Sequence, residues 1–283
     1  MSKISLVKLL NKIKELPPLP QSIPQILEIT KNPDSSSQDL TRVFERDPTL
    51  AASILKLANT AYYGFNRKIS TISHAIVCLG YNTIKSIALT ASTHDMLNNG
   101  LDAYKLEKGM LWSHSTACAT CARMIAQRIK YKDCEEAYIA GLLHDIGKII
   151  LSSFAEEQYD EIIEKTKDNK TPYNVAELEV LGYDHPQIGA KIIERWNLPP
   201  DLVEAVQYHH QPEKAEENII LTYIVHLADA ICDMLGIGLG SDGLMYIFEE
   251  NTFDVLGIGK EDVETLMSEL VDKTHSGELD NTR

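Results

Sequence analysis

The stretch Gly141-Leu-Leu-His-Asp-Ile-Gly-Lys148 sets an imidazole and a carboxylate side by side in an apolar run, with a lysine one turn later. Two ionisable groups in such a run are costly unless they are paired or bound to a metal. His144 and Asp145 are therefore a poor start for a core and a good start for a divalent-metal site. His114, His185, His209, His210 and Asp229 lie in other segments of helical pattern. Imidazole and carboxylate together suit one or two ions of Fe, Mn, Zn, Ni or Mg and need no thiolate. If the side chains converge, His114, His144, Asp145 and Asp229 would serve one ion. His185 with His209 or His210, sharing Asp145, would serve a second. Paired ions activate water for attack on phosphorus. Lys148, on the face of His144, could neutralise a phosphoryl oxygen or stabilise a leaving group. Asp145 and Lys148 are thus the candidate catalytic residues. Internal pairing of the same acids and imidazoles would also answer the burial cost, and that alternative stays open.

The other histidines invite a blander reading. His74, His94, His226 and His275 are expected to be satisfied core residues. His94-Asp95 repeats the dipeptide but lacks the following Gly-Lys, and is expected to be a decoy. Cys118-Ala-Thr-Cys121 is a lone CxxC in mid-helix, where small residues allow close helix packing. Tyr62-Tyr63-Gly64-Phe65 fits a partner-binding aromatic patch and a helix-ending core cluster equally well.

The elements that must position these groups are helical nearly throughout, so the sequence predicts an all-α fold. Leu16-Pro-Pro-Leu-Pro20 reads as a rigid extended link after an amphipathic first helix. Asn32 to Ser37 reads as a turn. Asp47-Pro48 reads as an N-cap with proline at the first helical position, ahead of a face of Leu50, Ile54, Leu57 and Ala58. Gly80 should end one helix and Asn82 cap the next, Thr83 to Ala91. Met110, His114, Ala117, Cys118, Cys121 and Ile125 share one stripe. Ile139 to Ile149 reads as a buried helix containing His144 and Asp145. His185-Pro186 opens a helix that Leu198-Pro-Pro-Asp201 breaks. Ile219 to Leu235 is strongly apolar, and Gly236-Ile-Gly-Leu-Gly240 ends it. Further helices are expected near Leu244 to Phe248 and Glu261 to Leu270, before a polar tail from Lys273. The best boundary in the first half is Asn98-Asn-Gly100; with the glycine-rich stretch ending at Gly240 it divides the chain into units 1–100, 101–240 and 241–283.

Composition narrows the function classes. A net charge of -14 argues against a general binder of nucleic-acid backbone, which needs a basic face. No run is long and apolar enough to span a membrane. The N-terminal residues mix charge and apolar groups too often for an export signal. Five scattered cysteines then fit reduced thiols in the cytoplasm.

With these residues in place, the chain resembles the HD superfamily of metal-dependent phosphohydrolases. It is more closely similar to the HDOD branch (HD-related output domain), over roughly residues 8 to 235. The resembling stretches are 16–20, 46–50, 54–59, 75–80, 141–148 and Glu194-Arg-Trp-Asn-Leu-Pro199. The resemblance implies an N-terminal helical subdomain packed on an HD-like one, and a signalling role with a protein partner. His114, His144, Asp145 and Asp229 match the HD ligand set. Lys148, His185, His209 and His210 match further positions of the HD-GYP phosphodiesterases. Met110 and Gln211-Pro212 depart from that group's pattern, which sets the chain apart from the cyclic-dinucleotide enzymes. The expected function is a regulatory output module that retains a metal site. The alternatives are hydrolysis of a nucleotide or other phosphate ester, and an inert domain in which the acids and imidazoles merely pair.

Overall fold

The computed structural model describes residues 4–32, 34–60, 68–155, 158–168, 171–241 and 248–276. Among them the chain is helical, with one isolated bridge between Leu101 and Leu106. The first helices are α1 (Leu6–Glu15), α2 (Ser22–Lys31), α3 (Ser37–Glu45), α4 (Pro48–Ala58) and α5 (Ile72–Leu97). After a 3-10 turn at Asp102–Tyr104 come α6 (Met110–Arg128), α7 (Cys134–Leu143), α8 (Gly147–Ala155), α9 (Tyr159–Asp168) and α10 (Tyr173–Leu181). The chain continues through α11 (His185–Arg195), α12 (Pro200–Tyr208), α13 (Ile219–Met234), α14 (Thr252–Leu256) and α15 (Lys260–His275). None of these is long and apolar enough to cross a membrane.

Local chemistry fixes the starts. Ser36 and Asp39 form a capping box on α3. The Asp47 carboxylate accepts from Leu50 N–H at 3.0 Å, with Pro48 at the first turn of α4. Asp184 caps α11 through Gln187 N–H at 2.9 Å, ahead of Pro186. Leu50, Ile54, Leu57 and Ala58 are all buried, as their spacing requires.

Gly80 breaks the helical path as expected: its backbone is non-helical (φ 79°, ψ 168°), so α5 is two helical segments joined there, the second running on to Leu97, beyond Ala91. A later boundary differs from expectation. The expected helix 139–149 is two helices: α7 stops at Leu143, His144 is its C-cap, and α8 starts at Gly147. Backbone packing fixes where α8 begins against α11. A Cβ on Gly147 would lie 1.9 Å from the His185 carbonyl oxygen, so α8 touches the start of α11 backbone to backbone. The expected helix near residues 244–248 and the aromatic run 62–65 lie outside the described residues, apart from Phe248.

Long-range polar contacts tie the first helices to the rest. Ser86 on α5 donates to Glu135 at 2.5 Å, and Arg123 on α6 meets the same carboxylate at 2.5 Å. The Arg123 guanidinium lies 3.9 Å over the Tyr138 ring. Arg195, at the end of α11, donates to the carbonyls of Ile13 and Lys14 at the end of α1. It thereby satisfies the Lys14 carbonyl at the open end of the helix and adds a second donor to the Ile13 carbonyl, which already accepts from Leu16 N–H.

Candidate metal centre

Helix ends build the site. His144 and His209 are the C-cap residues of α7 and α12. Each donates its Nδ1–H to the carbonyl three residues back, Gly141 at 2.8 Å and Val206 at 2.7 Å. The bond satisfies an orphan carbonyl of the last turn. It also leaves Nε2 with its lone pair facing inward. His114, on α6, reaches the Ile237 carbonyl with Nδ1 at 3.0 Å. His185, the first residue of α11, donates Nδ1–H to Glu177 at 2.8 Å. Four imidazoles thus spend one nitrogen on an outside acceptor and aim the other at a common centre. Metal-ligating histidines are held this way.

The two aspartates meet those nitrogens. Asp229 Oδ1 stands 3.1 Å from His114 Nε2 and 3.4 Å from His144 Nε2. Asp145 Oδ2 stands 3.3 Å from His144 Nε2 and 3.7 Å from His114 Nε2. Its other oxygen, Oδ1, faces His185 Nε2 at 3.3 Å. Lys148 Nζ donates to Asp145 Oδ2 at 2.5 Å. His210 Nε2 is 3.1 Å from His185 Nε2, and its Nδ1 is 3.8 Å from Asp229 Oδ2. Ligand atoms group within 4.8 Å as His114/His144/Asp229, His144/Asp145/His209 and His185/His209/His210. The structure therefore brings together His114, His144, Asp145, Lys148, His185, His209, His210 and Asp229. Asp145 has one oxygen toward each half of the set.

The donor chemistry fits a cation. His144 Nε2, His209 Nε2 and Asp145 Oδ1 are buried without a hydrogen-bond partner. Nitrogen lone pairs and carboxylate oxygens facing one another in a buried site repel unless positive charge lies among them. The electrostatics show the same demand. Burial opposes charge on His114, but the hydrogen bond and charge of Asp229 outweigh it and raise its pKa to about 9. His144 is also driven up, against burial, by the charge of Asp145. Asp145 and Asp229 are held well below the usual carboxylate range. For Asp145 the charges of His144 and Lys148 overcome burial; for Asp229 the hydrogen bonds from His114 and His144 do so. Burial, then the charges of His144 and His185, push His209 down to about 3. Protons on some of the rings meet the need in part. A divalent ion bound to the inward-facing atoms would meet it without them.

The remaining histidines stand apart from this set. His94 pairs with Asp95 at 2.9 Å and packs edge-on to Trp112. His226 is a core residue with both nitrogens used: Nδ1 binds the His209 carbonyl at 2.8 Å and Nε2 accepts from Glu249 N–H at 3.0 Å. His74 and His275 are exposed, which corrects the expectation of a core role. They lie on the outward faces of α5 and α15, where water satisfies them. Cys118 and Cys121 are buried in α6. Gly141 packs there on the Ala119 backbone; a Cβ added to it would lie 2.9 Å from the Ala119 Cα.

Sequence reasoning missed the groups behind the ligands. Glu177 and Tyr104 support His185, and the Ile237 carbonyl supports His114. A backbone carbonyl carries no signal in sequence. Glu177, in Val175-Ala-Glu-Leu-Glu179, reads as one of several solvated helix acids.

A curated protein of Treponema pallidum (strain Nichols), called uncharacterized, is 26% identical over 208 residues, covering 73% of this chain. The match spans 40% of that relative's length. An HDOD domain protein structure from Geobacter sulfurreducens superposes with a TM-score of 0.78 at 23% identity, covering 98% of each chain. A structure from Shewanella amazonensis SB2B, provisionally named a phosphohydrolase, gives a TM-score of 0.71 at 27% identity, covering 96% of each chain. The model of the HDOD domain matches residues 16–212, most of the length and all of the site except Asp229. The chain belongs to the HDOD domain family.

Proposed function

We propose that the chain is a signalling output module built around a buried divalent-metal centre, which acts by presenting its helical surface to a protein partner. One observation carries the metal: four histidines committed through Nδ1 to outside acceptors, with their Nε2 atoms turned toward Asp145 and Asp229. His114, His144, Asp145 and Asp229 would hold one ion. His185, His209 and His210, with Asp145 between the halves, would hold a second. A bound divalent ion supplies positive charge and Lewis acidity there. The output-module reading draws support from the family and from access. The cavity lined by His114, Asp145, Lys148 and Gly238 encloses about 10 Å³. That is about the room of one water, far less than a nucleotide needs.

A second reading, hydrolysis of a phosphate ester, is favoured by Lys148. It is a buried cation 2.5 Å from the carboxylate between the two ligand groups. It is placed to meet a phosphoryl oxygen beside Asp145. The Shewanella relative's name points the same way. Metal content of the purified chain, compared with Asp145→Ala, tests the centre. Equal content in the two proteins would remove it. A screen of phosphate esters and cyclic dinucleotides with Mn²⁺ or Fe²⁺ tests turnover. Hydrolysis that Asp145→Ala abolishes would replace the output-module reading with the second.

A further inference from the structure

Glu177 offers no oxygen to the centre, yet it is fully buried on α10. Its carboxylate takes donors from two places. Oε1 accepts from the Tyr104 hydroxyl at 2.5 Å. Oε2 accepts both the backbone N–H and the ring Nδ1–H of His185, each at 2.8 Å. An ionised carboxylate can only accept. A neutral His185 must therefore carry its proton on Nδ1 and present the Nε2 lone pair to the interior. That lone pair faces Asp145 Oδ1, an acceptor that receives no hydrogen bond. With the other tautomer, His185 Nε2–H would point at Asp145 Oδ1 from 3.3 Å and could close the gap with a proton. Glu177 denies the neutral ring that tautomer, so Nε2 can donate to Asp145 only from a doubly protonated ring. The local fold supports that placement: Tyr173, on the same helix, packs against Tyr104 with ring centroids 5.5 Å apart and the rings tilted by 39°, and it donates to the Ala103 carbonyl at 3.2 Å.

The geometry points to Glu177 as a positioning residue that locks His185 in its metal-ligating tautomer, with Tyr104 holding Glu177 in place. The inference rests on the metal-centre reading and adds that the ion on the His185 side depends on a carboxylate outside the ligand set. Outer partners of ligating histidines typically change metal affinity about 10–100-fold when lost.

The test uses the full chain, Mn²⁺ alone, and the variants Glu177→Gln and Glu177→Leu. Mn²⁺ affinity on the His185 side should fall about 10-fold in E177Q, which keeps the shape but loses the charge, and about 100-fold in E177L. Nitrogen NMR of metal-free protein at alkaline pH supplies a readout that a packing role would not move. His185 should carry its proton on Nδ1 in the wild type and on Nε2 in E177L. Should E177L fail to fold, E177Q still decides through affinity. Wild-type Mn²⁺ affinity in E177Q, or a wild-type His185 protonated on Nε2, would overturn the inference. Absence of Mn²⁺ binding by the wild type would instead overturn the metal-centre reading, and the NMR result would still report on the Glu177 lock.

Discussion

Gly147→Ala sets two physical effects against each other, and the structure decides the sign. Helix propensity favours alanine over glycine by about 1 kcal/mol within a helix. At position 147 the new methyl would lie 1.9 Å from the His185 oxygen, 2.7 Å from Gly189 N and 2.8 Å from His185 C. All three are backbone atoms, so no side chain can swing aside. Ordinary contact begins near 3.4 Å, and α8 and α11 would have to part by roughly 1.5 Å. Overpacking of this kind costs about 1–3 kcal/mol and sometimes more. With only backbone atoms to move, the cost falls at the upper end of that range, and after the propensity gain of about 1 kcal/mol the net loss of about 2 kcal/mol lowers Tm by roughly 4–8 °C for a chain of this size. The same separation carries His185 away from Asp145 Oδ1, now 3.3 Å from its Nε2, so Mn²⁺ content should fall as well. Gly141→Ala is the internal control. Its nearest backbone contacts are 2.9 Å, so it needs a smaller shift and should lose less. Thermal denaturation with metal analysis of the same samples reads both effects. A Gly147→Ala protein as stable as wild type, with full Mn²⁺ content, would refute the backbone contact as the device that joins the two halves of the centre.

Metal-free and metal-loaded protein should respond to pH with opposite signs. His114 is raised to about 9, so its contribution is complete below 6.5 and is lost as pH rises through 9; His209, lowered to about 3, withdraws stability as pH falls below 6.5. Metal-free Tm should therefore peak near pH 6.5 and decline toward pH 9, whereas Mn²⁺-loaded protein should gain stability over that range because ligand nitrogens bind metal only when deprotonated. Chelation at pH 8 should accordingly lower Tm, read by differential scanning fluorimetry. Glu204→Ala should cost about 2–4 kcal/mol in urea denaturation, because the buried carboxylate accepts from Glu216, Glu217 and Asn218 N–H at 2.7–3.0 Å and its loss strands them. Lys148→Met should retain Mn²⁺ while abolishing any phosphate-ester hydrolysis the wild type shows; full hydrolysis in the variant would exclude Lys148 from the chemistry.

The site was legible where a residue's type conflicts with its surroundings. His144, Asp145 and Asp229 stand out because ionisable groups in apolar helices need a reason. His114 and His185 follow from the same conflict at lower contrast. The all-α fold was legible from period and turn signals, as at Asp47-Pro48 and His185-Pro186; the Asp184 cap emerged only in the structure. What stayed hidden depends on contacts far apart in the chain. The close approach of Gly147 to the His185 carbonyl, just past the break between α7 and α8, is one that local propensity cannot register. Glu177 meets Tyr104 across 73 residues, and Ser86 meets Glu135 across 49. Such partners are chosen by the tertiary fold. His74 and His275 show the converse: a histidine in a helix carries little information about burial until its face is known.

Anomalous scattering from crystals grown with Mn²⁺, recorded on both sides of the metal's absorption edge, tests the centre most directly. The expected map has one or two peaks among His114, His144, Asp145, His185, His209, His210 and Asp229, absent from Asp145→Ala crystals. A map without a peak, with the His144 and His209 Nε2 atoms hydrogen-bonded to carboxylates, would show that the acids and imidazoles only pair with one another.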